Sequence, residues 1–127
     1  MLTDTDITGV IIEEAIRLHR HIGPGAFERV YAECLTHALR DRGLDPQREL
    51  VLPVEYRGIR VELGYRVDLL VNDRVIVEIK CSELHHPVYT KQLLTYLRLS
   101  NKRTGLLLNF GMERLTDGIH RVMNGWQ

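Results

Sequence analysis

Residues 65–80 place charged side chains inside two aliphatic stretches that are separated by a turn-forming dipeptide. The segment reads YRVDLLVNDRVIVEIK. The Asn-Asp dipeptide at 72–73 favours a turn, so the flanking stretches predict a β-hairpin. An ionised group is costly inside a buried strand unless it is paired or binds a metal. The charges of Asp68, Glu78 and Lys80 therefore restrict how this hairpin can be packed.

The register of the hairpin follows from the alternation of side chains along a strand. The aliphatic residues at odd positions should share one face of the sheet: Val67, Leu69, Val71, Val75, Val77 and Ile79. Pairing Val71 with Val75, across a three-residue loop or a bulge, aligns this face on both strands, whereas a shift of one residue would invert every side chain. The same register places Asp68 directly opposite Glu78.

Two facing carboxylates repel each other and need an explanation. Four arrangements would satisfy them: a shared proton, a structural ion pair with Lys80, an exposed position where water screens the charges, or a divalent cation. Oxygen ligands suit Mg²⁺ or Mn²⁺ rather than zinc. Because Lys80 lies two residues after Glu78 and on the same face, its ammonium would lie beside any such ion. The residues alone leave all four arrangements open.

Composition describes an ordinary globular chain. The 127 residues predict one domain, and 17 basic against 17 acidic residues give a formal net charge of zero. Zero charge argues against tight nucleic-acid binding that ignores sequence, but does not exclude such a substrate. No apolar run approaches the roughly 20 residues that span a bilayer, and the first residues do not read as a signal peptide, so we expect a cytoplasmic protein without membrane contact. Cys34 and Cys81 lack CxxC spacing, which predicts plain thiols.

Hydrophobic spacing and turn residues predict two helices, four strands, a helix, a strand and a final helix. The expected segments are a helix at 6–21, a helix ending near 43, strands at 50–56, 59–63, 67–71 and 75–80, a helix at 87–100, a strand at 103–110 and a helix at 112–122. In the second helix the buried stripe should contain Phe27, Val30, Tyr31, Cys34 and Ala38. The order ααββββαβα, with a strand break at Gly64, predicts an α+β fold with a mixed sheet.

The spacing of the charged residues in the hairpin is similar to a motif known from other proteins. Asp68, followed ten residues later by Glu78-x-Lys80 at the end of an apolar strand, resembles the core motif of the PD-(D/E)XK nuclease superfamily. Val67 stands where that motif usually has proline. The resemblance implies a restriction-endonuclease-like core, a mixed sheet flanked by helices, as a single nuclease-like domain over residues 1–127.

Two further motifs follow the same resemblance. Gln92-x-x-x-Tyr96 resembles the QxxxY motif of RecB-like nucleases, and the segment GAFERVY at 25–31 resembles the small bacterial GxxExxY proteins. Together with Asp68 and Glu78-x-Lys80, these motifs cover the chain from about residue 21 to residue 124.

The resemblance also assigns roles to residues. It implies that Asp68, Glu78 and the backbone carbonyl of Ile79 bind Mg²⁺ or Mn²⁺, and that Lys80 positions the attacking water. Glu28 would supply a further acidic ligand from the first core helices, although from the pattern alone its place in the first turn of a helix is explained by the helix dipole.

The remaining motif residues are implied to support the site. They are Gln92 and Tyr96, beside Lys80 or a substrate phosphate, and Tyr31. The implied function is Mg²⁺-dependent hydrolysis of phosphodiester bonds, most simply in DNA, by a chain that would need a homodimer or a protein partner to hold its substrate. The alternative is a catalytically silent module that binds nucleic acid or a protein.

A metal enzyme based on histidine is the third possibility. It rests on the adjacent pair at 85–86 and on His19 and His21. Adjacent histidines on a loop are more often solvated, or cap the next helix.

Overall fold

The computed structural model describes residues 1–125. It contains three α-helices, five strands and one 3₁₀ turn. In chain order these are α1 Asp4–Ile22, α2 Glu28–Asp41, β1 Pro46–Tyr56, β2 Ile59–Val71, β3 Val75–Lys80, α3 Pro87–Ser100, β4 Thr104–Asn109, the 3₁₀ turn Leu115–Gly118 and β5 Ile119–Met123. Within this part of the chain no helix is both long enough and apolar enough to cross a bilayer.

The strands form one mixed sheet in the order β1-β2-β3-β4-β5. Only β3 and β4 are parallel, and α3 connects them; the other three pairs are antiparallel. Parallel neighbours require a crossover of a dozen or more residues, and a helix that covers one face is the usual solution. The predicted α+β class with a mixed sheet is confirmed.

Helices cover both faces of the sheet. On one face α1 and α2 pack through Ile7, Ile11, Tyr31, Leu35 and Leu39 against strand residues that include Leu69, Val77 and Leu106. On the other face α3 contributes Leu93, Tyr96 and Leu97, which pack with Leu70, Ile76 and Leu107. All six residues of β4 are buried, as predicted for a strand that is covered on both sides.

The start of α1 is fixed by its first residues. The Thr3 hydroxyl accepts a hydrogen bond from the Asp6 N–H at 3.0 Å, and the Asp6 carboxylate accepts one from the Thr3 N–H at 2.9 Å. This reciprocal arrangement satisfies N–H groups that the helix itself leaves free. The helix ends where Gly23 takes a φ of 83°, which favours glycine.

The β2–β3 hairpin has the predicted register. Val71 pairs with Val75 and Leu69 with Val77, across the three-residue loop 72–74. Asn72 and Asp73 both have a φ of 54°, which these two residue types tolerate better than most, and the Arg74 N–H donates to the Val71 carbonyl at 3.0 Å. The three-residue loop is therefore confirmed.

One residue of the predicted apolar face lies on the other side. Leu69 and Val71 pack against α1 and α2, but Val67 packs on the α3 face. The change of face coincides with an irregularity in the neighbouring strand, where Glu49 has a φ of 54° and the ladder between β1 and β2 lacks the pair between residues 49 and 68. Since Val67 and Leu69 pack on opposite faces of the sheet, the strict alternation predicted for them was wrong.

One predicted strand break and one predicted helix were also wrong. The chain does not break at Gly64, because the irregularity falls in β1 between Leu52 and Val54, and β2 continues as one strand. Pro53 lies at this register shift, as expected of a residue without an N–H donor. The predicted helix at 112–122 is instead the 3₁₀ turn followed by β5, which pairs with β4.

The buried stripe of α2 is rotated from the prediction. Phe27 is 83% exposed and Val30 39% exposed, and Cys34 is exposed as well. The residues that face the core are Tyr31, Ala32, Leu35, Thr36 and Leu39. The sequence spacing fitted both stripes, and packing against β3 and α1 selects the second.

Candidate metal and catalytic site

The two carboxylates lie where the ladder between β2 and β3 ends. The last regular pair joins Leu69 and Val77. Beyond it the Asp68 N–H donates to Glu78 Oε1 at 3.0 Å, and the Ile79 N–H donates to Asp68 Oδ2 at 2.7 Å. Side chains thus replace the backbone acceptors of the strands, and each carboxylate is held by the opposite strand.

Burial makes this pair costly when both groups are ionised. Glu78 is only 5% exposed. Burial and then the charge of Asp68 raise the pKa of Glu78 to about 8. Burial also raises the pKa of Asp68, although the Ile79 N–H and the charge of Lys80 oppose the shift. The pair is therefore poised to take up a proton or a cation near neutral pH.

Lys80 ends β3 beside this pair. Its Nζ lies 4.9 Å from the ring centre of Tyr89, in the first turn of α3. The positive charge of Lys80 partly opposes the rise in the pKa of Asp68 and of Glu78. Within residues 1–125, however, Lys80 forms no salt bridge with either carboxylate. Neither a structural ion pair nor screening by water accounts for the pair, since Glu78 is buried. A shared proton or a divalent cation remains.

The donor set suits a hard cation. Two carboxylates are enough for Mg²⁺, which completes its shell with water and substrate phosphate. Across the described chain no three His, Cys, Asp or Glu side chains are arranged to hold a metal ion, so Glu28 does not join Asp68 and Glu78 in a three-carboxylate cluster. Ile79 is tied to the site through its N–H.

Comparison with known proteins settles the family. Residues 5–122 match the family described as the PD-(D/E)XK nuclease superfamily. The chain belongs to this superfamily. Its nucleases typically use divalent metals. The match does not resolve the GxxExxY group, which stays a prediction.

Other comparisons add the fold alone. No curated protein matches this chain. The crystal structure of SSO0001 is similar with a TM-score of 0.59 at 15% identity, over 91% of this chain and 59% of that one. The chain therefore spans a little over half the length of SSO0001.

Glu28 reaches the same cleft as Asp68 without contacting Glu78. It is the exposed first residue of α2 and lines a cleft of about 290 Å³ together with Arg29, Arg48 and Asp68. Burial and then the negative charge of Glu28 raise the pKa of the free thiol of Cys81 to about 11. Cys81 directly follows Lys80, so Glu28 lies near the end of β3.

The two residues of the QxxxY motif lie on α3 but differ in their exposure to solvent. Tyr96 is 8% exposed, and burial raises the pKa of its phenol, followed by the charges of Glu78 and Asp68. Its ring centre lies 5.2 Å from that of Tyr65. Gln92, one turn earlier, is exposed. The nuclease fold therefore brings Tyr96 to the carboxylates and leaves Gln92 at the surface.

Tyr31 supports the loop before α2. Its hydroxyl donates to the Gly23 carbonyl and accepts from the Ala26 N–H at 3.1 Å. Its ring stacks on Phe110 with 4.3 Å between ring centres. The contacts of Tyr31 fix the loop that leads into Glu28.

Sequence reasoning missed Arg48. Its charge lowers the pKa of Asp68, and its Nη1 lies 3.4 Å from Glu33 and its Nη2 3.9 Å from Glu49. The Nε is shielded from solvent and has no hydrogen-bond partner among the described residues. One arginine in a charged strand carries no signal that would single it out, because its approach to Asp68 depends on strand pairing.

The histidines singled out in the sequence do not assemble together. The His19 Nε2 lies 3.1 Å from the Phe110 carbonyl and 3.0 Å from that of Met112, which is a structural role. His21 is exposed in the last turn of α1. His85 stacks against His120, a residue that the sequence had not suggested.

Proposed function

We propose that this chain is a metal-dependent nuclease that hydrolyses phosphodiester bonds in DNA, as a single domain. The observation that supports this most strongly is the facing pair of a half-buried Asp68 and a buried Glu78, without a neutralising salt bridge from the described residues. Membership of the superfamily supports nuclease chemistry, and Lys80 lies at the same end of β3.

Mg²⁺ or Mn²⁺ would be held by Asp68 and Glu78, with the Ile79 carbonyl as a further donor, while Glu28 lines the cleft beside Asp68 and would act on the ion from a greater distance. When bound, the ion would supply Lewis-acid charge at the phosphate and lower the pKa of a coordinated water. The Lys80 ammonium orients the attacking water and stabilises negative charge that develops on the phosphate. Packing of Lys80 over the Tyr89 ring limits the directions in which the ammonium can point.

The supporting residues act around this centre. Tyr96 is a phenol that remains protonated and so can donate a hydrogen bond beside the carboxylates. Gln92 is exposed one turn away and available to a phosphate, and Tyr31 positions the loop that carries Glu28. Arg48 reduces the negative charge around Asp68.

DNA would need more than this chain to hold it. A formal net charge of zero gives no long-range attraction for a polyanion. We therefore propose a homodimer or a protein partner as the source of further contacts, and a two-fold dimer is the commonest form. A DNA substrate agrees with the cytoplasmic location expected from the sequence.

Cleavage of linear and circular DNA by the purified chain, with Mg²⁺ or Mn²⁺, tests the proposal. Asp68→Asn and Lys80→Ala should each lower the rate by roughly 10²–10⁴-fold, the effect of removing one catalytic group. Asp73→Asn and Lys102→Ala are matched controls, because these residues form an exposed 2.9 Å ion pair at the other end of β3. Both controls should cut at the wild-type rate.

Two results would contradict this function. Cleavage that persists in both Asp68→Asn and Lys80→Ala would come from a contaminant or another site. A wild-type chain that cuts neither DNA nor RNA, and binds neither ion at millimolar concentration in calorimetry, would favour the catalytically silent module.

A further inference from the structure

The hairpin of β1 and β2 extends beyond the rest of the sheet. β2 pairs with β3 through residues 69–71, whereas residues 51–66 pair with each other across the hairpin. We call residues 51–66 the arm. Its tip is the dipeptide Arg57-Gly58, and these residues take φ values of 49° and 82°, as a tight two-residue hairpin turn requires. A two-stranded hairpin is at best marginally stable in water by itself, so the arm needs a surface to pack on.

One face of the arm is apolar and uncovered. Tyr56 pairs with Ile59 across the hairpin. Val54 pairs with Val61, and the two members of such a pair share a face. Alternation along β1 places these pairs on the same face as Leu52, which is buried against α3. Helix α3 therefore covers the base of this apolar face, but Tyr56, Ile59 and Val61, which lie towards the tip, are exposed.

The charges of the arm lie on its opposite face and neutralise each other. Arg60 Nη1 lies 2.5 Å from the Glu55 carboxylate, and Arg60 Nε lies 2.8 Å from that of Glu62. At the tip, the Arg57 guanidinium lies over the ring of Tyr56, 5.4 Å from its centre. The phosphate backbone of a nucleic acid binds through several Lys and Arg contacts, and the apolar face offers it little more than Arg57. A protein surface that is itself apolar and uncharged is the better match.

The size of the apolar face suits a second copy of this chain. Tyr65 shares the face because it pairs with Leu52. The exposed part consists of Tyr56, Ile59, Val61 and Tyr65, which are 64%, 64%, 45% and 43% exposed. These fractions amount to roughly 400 Å² of apolar surface on each copy. Two such faces in contact would bury roughly 800 Å² of apolar area, and since about 60% of an interface is apolar, roughly 1,300 Å² in all. Specific protein interfaces bury about 1,200–2,000 Å².

We propose that the arm is a homodimer interface, in which the apolar face of one copy packs on the same face of a second copy about a two-fold axis. An antiparallel crossing of the arms keeps the two Arg57 side chains apart and brings no other like charges together. The inference deepens the homodimer proposed above, and it rests on that proposal only for the need of further substrate contacts. Because the arm ends two residues before Asp68, both carboxylate sites would lie beside the interface.

Sedimentation equilibrium over a concentration series tests the interface. Wild type should dimerise, and Val61→Glu and Ile59→Glu should each raise the dimer dissociation constant at least tenfold, because the interface would bury an unpaired carboxylate. Val51→Glu is the matched control. Val51 is also 45% exposed and lies on the same hairpin, but it points away from the face of Leu52. This variant should dimerise as wild type does, and circular dichroism of the diluted proteins checks that all of them are folded.

Hydrogen exchange of the wild-type chain needs no variant. Amides of residues 51–66 should exchange more slowly at concentrations where the dimer forms than after dilution, while those of β4 should not change. The proposal is overturned if wild type stays monomeric at millimolar concentration, if Val61→Glu and Ile59→Glu dimerise as wild type does, or if a dimer forms without protecting the arm. A monomeric wild type whose arm binds a different protein would overturn it as well. None of these readouts involves cleavage, so a failure here leaves the nuclease proposal standing, and a dimer that cuts no DNA leaves this inference standing.

Discussion

Glu14 in α1 and Glu78 in β3 are equally buried glutamates with opposite partners. They are 7% and 5% exposed. Glu14 Oε2 accepts a hydrogen bond from Arg42 Nη1 at 2.5 Å and lies 3.8 Å from Arg17. Glu78 faces the carboxylate of Asp68, and its Oε1 accepts a hydrogen bond from the Asp68 N–H at 3.0 Å.

The contrast separates a structural carboxylate from a candidate functional one. Glu14 has the guanidinium partners that a buried charge requires, so it needs no ligand. Glu78 is held in place without a cation in salt-bridge contact among the described residues, so ionising it costs stability in the metal-free chain. Strongly shifted pKa values of this kind concentrate at functional sites, although structural networks also produce them.

The largest difference should appear in activity. Glu78→Gln should lower DNA cleavage roughly 10²–10⁴-fold, because an amide is a poor ligand for a hard cation. Glu14→Gln should cleave within about twofold of wild type at temperatures where it is folded, since Glu14 lies in α1 on the Arg42 network. Initial rates at saturating Mg²⁺ provide the measurement. If both variants lost DNA cleavage to the same extent, the assignment of Glu78 as functional and Glu14 as structural would be contradicted.

The same two substitutions should change the free energy of unfolding in opposite directions. The folded pKa of Glu78 is raised from an ordinary 4.5 to about 8, so the folded chain holds this proton more tightly than the unfolded chain. Stability contributed by the protonated group is therefore complete below pH 4.5 and is lost as the pH rises towards 8. Glu78→Gln removes that loss and should stabilise the metal-free chain at pH 8 by about 1–3 kcal/mol.

Glu14→Gln should instead destabilise the chain by about 1–3 kcal/mol, because Arg42 loses a charged acceptor. Urea unfolding in EDTA at pH 5 and pH 8 measures both changes. The gain for Glu78→Gln should shrink at pH 5, where the wild-type carboxyl is already protonated. A gain of equal size at both pH values would show that Glu78 is not the titrating group.

The contrast also shows which parts of the fold could be predicted from sequence. The hairpin register was predictable because a buried face on Val71 and Val75 forbids a slip of one residue. The last element was not, because Leu115, Ile119 and Val122 fit a helical stripe. Their segment forms β5 because the edge of β4 is open to pairing, and that edge exists only once the sheet is assembled.

The same limit applies to the site. Asp68 and Glu78 face each other through local pairing, so alternation along two neighbouring strands was enough to place them. The contacts of Arg48 and His120 join segments far apart in the chain, and no local pattern encodes them. The position of Val67 on the α3 face coincides with a positive φ at Glu49 on the paired strand, and glutamate is a residue type whose sequence gives no sign of such a φ.

The smallest predicted effect concerns Arg48, which shares features with the structural site of Glu14 and with the candidate functional site of Glu78. It approaches carboxylates as Arg42 does, but its buried Nε has no partner among the described residues and it lines the cleft of Asp68. A guanidinium there can donate to a substrate phosphate. Arg48→Gln should therefore raise KM by roughly two- to tenfold, equivalent to one lost hydrogen bond, with little change in kcat.

Arg66→Gln is the matched control for this last effect. Arg66 lies 3.7 Å from Glu49, the carboxylate that Arg48 also approaches, but it is 65% exposed and does not line the cleft. Its KM should equal that of wild type. If both variants raise KM alike, the effect comes from the general charge of β1 and β2, and if Arg48→Gln lowers kcat alone, Arg48 acts by holding Asp68 rather than by contacting the phosphate.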